Sequence, residues 1–130
     1  MGLLSRLKKK DEPKSIEWPD YIVDLTDESF NEFIEKYPLS IVDFWAPWCN
    51  PCREMLPRFR RLEHIYRGRL AFGRVNTQEY PSIAKRYKVM SIPQFIFFSY
   101  GKTVGVKRGA VSTGELKEMI EHLLRKYEKR

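Results

Sequence analysis

Between Trp18 and Tyr127 the chain alternates short apolar runs with amphipathic stretches, and that order constrains the fold more than any other feature of its 130 residues. Tyr21 to Leu25 reads as a short strand. Thr26 is placed to cap a helix whose first turn carries Asp27 and Glu28, where the helix dipole favours acids. Phe30, Phe33 and Ile34 give that helix its apolar face, and Pro38 lies beyond its end. Ile41 to Trp45 has the continuous apolar character of a buried strand, interrupted only by Asp43. A helix is expected from about Pro51 to Arg67, kinked at Pro57 and closed before Gly68. Leu70 to Val75 is a third strand and Pro81 to Tyr87 a short helix. Phe95 to Phe98 is a fourth strand, turned at Tyr100-Gly101-Lys102 into a hairpin partner over Thr103 to Lys107. Ser112 and Glu115 form a capping box for a last helix that reaches about Tyr127, with Leu116, Met119, Ile120, Leu123 and Leu124 on its buried face.

The resulting β-α-β-α-β-α-β-β-α order predicts an α/β protein. Alternating elements at the start imply parallel strands with crossover helices, and the terminal hairpin adds antiparallel ones. The expected product is a central mixed β-sheet flanked by helices on both faces. The length suits one domain, and 42% hydrophobic residues suffice for a core. Residues 1–17 read as a flexible basic N-terminal extension and 18–130 as the domain. Leu3, Leu4 and Leu7 beside Lys8, Lys9 and Lys10 leave a surface-binding helix as the alternative for that extension.

The net charge of +7 favours acidic partners without selecting one. No basic stripe is interleaved with stacking aromatics, so nucleic acid is not an expected partner. No run approaches the roughly 20 apolar residues of a membrane span. The start lacks a secretory pattern, and Arg6 stands where myristoylation wants Ser or Thr. A cytoplasmic monomer is the expectation.

Two cysteines occur, Cys49 and Cys52. Secreted disulfide frameworks carry several distributed pairs. A four-ligand zinc site would need partners that His64 and His122 do not supply at the right spacing, and both fall within helices. A C-x-x-C pair also occurs as half of a metal site, but its position between a buried strand and a helix favours redox chemistry. There Cys49 meets the unpaired N–H groups of a helix N-terminus, which stabilise a thiolate. Cys52, one turn later, faces the same side. Pro51 suits the first turn, where its missing N–H is not needed.

The segment Val42-Asp-Phe-Trp-Ala-Pro-Trp-Cys-Asn-Pro-Cys52 resembles the active-site segment of the thioredoxin family. The similarity continues through Pro57, Ile92-Pro93, Gly101, Gly109 and the start of the last helix, over roughly residues 20–127. The resemblance implies the thioredoxin fold and a thiol–disulfide oxidoreductase that reduces protein disulfides with no organic cofactor or metal. It implies Cys49 as the attacking cysteine, Cys52 as the resolving one and Asp43 as the buried carboxylate that takes the proton of Cys52. A cis peptide bond before Pro93 follows from it. Trp48, Asn50, Pro51, Ser91, Ile92, Pro93, Gly109 and Ala110 are the implied substrate-binding residues. The implied partners are disulfide-containing proteins and a thioredoxin-reductase-like electron donor.

Three residues depart from the family pattern. Asn50 replaces the usual glycine between the cysteines and bears on reduction potential, so an oxidase or isomerase is the alternative direction. An interaction module tethered by its basic tail is the alternative outside redox chemistry. Arg74 replaces a lysine and is expected either to pair with Asp43 or to turn outward. Gln78 stands where an Asp is usual.

Overall fold

The structure, a computed structural model, describes residues 15–128. Among the described residues the elements are β1 (Val23–Asp24), α1 (Phe30–Lys36), β2 (Ser40–Trp45), α2 (Asn50–Tyr66), β3 (Ala71–Asn76), α3 (Pro81–Arg86), β4 (Gln94–Ser99), β5 (Lys102–Arg108) and α4 (Thr113–Tyr127). The five strands form one sheet in the order β1-β3-β2-β4-β5. β1, β3 and β2 run parallel, whereas β4 pairs antiparallel with both β2 and β5. The mixed sheet expected from the element order is therefore present. The expected extension over residues 1–17 lies almost wholly outside the described residues. Ile16 and Trp18 already pack on the core.

Strand alternation divides the core in two, because successive side chains point to opposite faces. Ile41, Phe72, Phe95 and Phe97 join Phe59, Leu62 and Tyr66 of α2 and Leu116, Ile120 and Leu124 of α4. Val42, Phe44, Val75, Ile96 and Phe98 turn the other way, against Phe30, Phe33 and Ile34 of α1 and Ile83 of α3. The apolar run Phe95 to Phe98 in β4 is what a strand covered on both faces requires. Two glycines of the sheet sit where an added Cβ would crowd the layer packed on it: 2.8 Å from Leu25 Cδ1 at Gly73 and 2.9 Å from Met119 Cε at Gly105.

Two elements differ from expectation by more than one residue at an end. α1 begins at Phe30, not at Asp27. Thr26 and Ser29 exchange hydrogen bonds through their hydroxyls and N–H groups, closing a turn before the helix starts. β1 spans two residues rather than five. α2 continues through Pro57 to Tyr66, and α4 starts as expected, with Ser112 Oγ accepting the Glu115 N–H at 3.1 Å.

Candidate active site

β2 ends at Trp45, and the loop 46–49 delivers Cys49 to the N-cap position of α2 in an extended conformation. The Cys49 N–H donates to the Ala46 carbonyl at 3.1 Å, which fixes the loop. Cys49 and Cys52 form a disulfide with Cα atoms 5.3 Å apart. The Cys52 N–H donates to Cys49 Sγ at 3.2 Å. That amide is one of the helix-start donors with no partner inside the helix, so the sulfur does what a capping side chain does. Cys52 is fully buried, packed with Ala46, Trp45 and Ile92, while Cys49 keeps slight exposure.

The segment before β4 meets this pair. The Ile92–Pro93 peptide is cis, as the resemblance implied, and the Ile92 carbonyl oxygen lies 3.9 Å from Cys49 Sγ. Trp48, Asn50, Pro51, Ser91 and Ile92 line one groove of about 580 Å³ together with Cys49. Pro93, Gly109 and Ala110 do not line it. Pro93 is buried, and Gly109 meets it through the backbone, its N–H donating to the Pro93 carbonyl at 2.8 Å. Four groove residues were not anticipated: Thr77, Ala84, Val89 and Met90. Met90 is 91% exposed and Trp48 69%, so the groove carries two large apolar side chains in water. The signal available in the sequence was an apolar Val89-Met90 pair in a loop just before Ile92-Pro93. Asn50 Oδ1 accepts a hydrogen bond from Arg53 Nη2, so the side chain of Asn50 is tied to the first turns of α2.

Asp43 is fully buried on β2. It shares the sheet face of Ile41, the face that packs against α2. Its partner across the parallel β2–β3 ladder is Arg74, in direct register and on the same face. Arg74 thus turns inward, resolving the two expectations for it. Its Nε lies 3.6 Å from Asp43 Oδ2, and its guanidinium sits 4.0 Å from the Trp45 ring centroid. At that separation the pairing is electrostatic rather than hydrogen-bonded, and neither Asp43 oxygen has a hydrogen-bond partner. Burial pushes the Asp43 carboxyl from 3.8 up to about 7, with Arg74 pulling partly the other way. A carboxyl poised there exchanges a proton near neutral pH. Among the described residues no three His, Cys, Asp or Glu side chains gather as a metal-binding set, and no helix is long and apolar enough to cross a membrane.

The family model described as Thioredoxin matches residues 21–122. A thioredoxin from Buchnera aphidicola is 37% identical over 101 residues, covering 77% of this chain and 94% of that protein. Thioredoxin 1 from Nostoc is 37% identical over 98 residues, covering 75% and 92%. The chloroplastic M-type thioredoxin of Spinacia oleracea is 38% identical over 104 residues, with 79% of this chain and 58% of that protein covered. Among solved structures, a mutant thioredoxin from Halobacterium salinarum superposes with a TM-score of 0.76 at 23% identity, over 88% of this chain and 96% of that one. A chain from a study of thiol resolution in a yeast mitochondrial 1-Cys peroxiredoxin through glutathione and thioredoxin systems gives 0.72 at 29% identity, over 78% and 94%. The shared fold, the agreement in sequence and the disulfide whose Cys49 lines the groove lead to one conclusion: the chain belongs to the thioredoxin family and is a thiol–disulfide oxidoreductase working through Cys49 and Cys52.

Proposed function

We propose that the protein reduces disulfides in other proteins, with Cys49 attacking and Cys52 resolving. The observation that carries this division of labour is the N–H of Cys52 on Cys49 Sγ, with Cys49 at the groove and Cys52 wholly buried. In the dithiol form the same amide and the helix N-terminus stabilise a Cys49 thiolate. That thiolate attacks one sulfur of a substrate disulfide, forming a mixed disulfide and expelling the other sulfur as a thiolate. Cys52 then gives its proton to the Asp43 carboxylate, directly or through water, and attacks Cys49 Sγ. The second substrate sulfur leaves as a thiolate, and the Cys49–Cys52 disulfide holds the oxidised state. Two electrons have passed to the substrate, and a dithiol-delivering donor of the thioredoxin-reductase kind must return them.

Groove shape supports an extended protein segment as substrate. Trp48 and Met90 offer apolar contact beside Cys49, and the Ile92 backbone lies against its sulfur. The thioredoxin resemblance makes Pro93, Gly109 and Ala110 a rim beside that groove, a reading supported by the hydrogen bond that ties Gly109 to Pro93. The thioredoxin relatives favour reduction over the oxidase or isomerase direction and over a purely tethering role. Two cysteines in the whole chain support a cytoplasmic setting, since disulfide frameworks mark oxidising compartments. In an insulin-reduction assay Cys49→Ser is expected to abolish turnover; retained turnover would sink the assignment.

A further inference from the structure

The loop between β5 and α4 takes its hydrogen bonds from elsewhere in the fold. Gly109, at φ +84°, donates its N–H to the Pro93 carbonyl at 2.8 Å. Two residues on, Val111 is buried and both its backbone polar groups meet α2. Its N–H donates to Met55 Sδ at 3.3 Å, and its carbonyl accepts from Arg58 Nη1 at 2.8 Å. Met55 and Arg58 are successive turns of the helix that begins at the cysteine pair. Since the Ile92 carbonyl oxygen lies 3.9 Å from Cys49 Sγ, a ring of contacts runs from Cys49 through 92–93 and 109–111 back to α2.

The two ties at Val111 are unequal. A thioether sulfur is a weak acceptor. A guanidinium N–H on a carbonyl is charge-assisted, about twice as strong as a neutral hydrogen bond, and the guanidinium does not lose its proton. Arg58 is half-buried, which shields that bond from water. It is therefore the main polar strut between α2 and the 109–111 loop.

We propose that Arg58 is a positioning residue for protein substrates, setting the 109–110 rim relative to Cys49 without touching the reacting sulfurs. An extended segment must satisfy rim and Cys49 together, whereas a small disulfide needs Cys49 alone. The inference rests on the protein-disulfide reductase reading above.

The test uses the full chain as wild type, Arg58→Met and Arg58→Lys. Insulin reduction is followed at steady state with dithiothreitol as electron source. Single-turnover reduction of dithiobis(nitrobenzoate) and the redox equilibrium with glutathione are measured beside it. For Arg58→Met the insulin kcat/KM is expected to fall about tenfold, through KM, as one charge-assisted hydrogen bond is lost. Arg58→Lys, which keeps a cationic donor, recovers most of it. The small-disulfide rate and the glutathione equilibrium stay at wild-type values. Unchanged insulin kinetics, or an equal fall with both substrates, overturns the proposal. If Arg58→Met does not fold, Arg58→Gln carries the same comparison with the same expectations. A wild type that reduces the small disulfide but not insulin would refute the protein-substrate reading itself, a result distinguishable from the failure of Arg58 alone.

Discussion

Replacing Asp43 with asparagine should make the protein more stable in mild alkali and less stable in acid. The carboxyl is fully buried, has no hydrogen-bond partner on either oxygen and titrates at about 7 instead of 3.8. Each pK unit of difference between folded and unfolded chain is worth about 1.36 kcal/mol, so ionised Asp43 costs about 4 kcal/mol. Because the folded value is the higher one, the wild type has its full stability below pH 3.8. It loses that contribution as pH rises to about 7. Asparagine does not ionise and escapes the loss. It leaves its own amide unmatched, a cost of about 1–2 kcal/mol at any pH, while the attraction of Arg74 is already contained in the value of about 7. The net expectation for Asp43→Asn is a gain of about 2–3 kcal/mol at pH 8 that turns into a loss of about 0.5–1.5 kcal/mol at pH 4. Guanidinium unfolding of the oxidised protein at pH 4, 6 and 8 measures both. A difference that stays constant across that range would refute the linkage to Asp43, and a destabilisation that grows with pH would reverse its sign.

Three further outcomes follow from the same geometry. Arg74→Met removes the positive charge that lowers the Asp43 pKa, so the carboxyl should titrate above about 7 when followed by infrared or NMR; an unchanged or lower midpoint would contradict the pairing. Phe59 is fully buried, with its ring centroid 5.1 Å from that of Phe72 and 5.7 Å from that of Phe95, and Phe59→Ala should cost about 3–5 kcal/mol in urea unfolding. A cost under about 1 kcal/mol would show that this cluster is loosely packed. Gly109→Ala places a Cβ where no heavy atom lies within 4 Å, so its cost should be conformational only, about 1–2 kcal/mol at φ +84°. A larger loss would point to a clash instead.

The sequence disclosed most where one residue decides its own environment. The apolar run Phe95 to Phe98 read most simply as a core strand, and Cys49, Pro51 and Cys52 between a strand and an amphipathic segment marked a helix start. The strands β2 and β3 read as parallel, yet the inward turn of Arg74 was not legible, because it depends on Arg74 falling opposite Asp43 in the ladder. A register is a property of two strands and is written in neither. The late start of α1 had a similar origin: Thr26 and Ser29 are each good caps, and their mutual bonding closes a turn instead. Met90 and Thr77 escaped notice because the groove gathers short pieces from three separate loops. The Arg58–Val111 bond spans 53 positions along the chain, beyond any local pattern.

The division of labour between the two cysteines is tested most directly by trapping. Cys52→Ser and Cys49→Ser, each reduced and then mixed with insulin, are compared by intact mass for a covalent adduct. The expected result is a stable mixed disulfide at Cys49 in Cys52→Ser and none in Cys49→Ser, whose remaining thiol is buried. An adduct formed by Cys49→Ser, or none formed by Cys52→Ser, would contradict it.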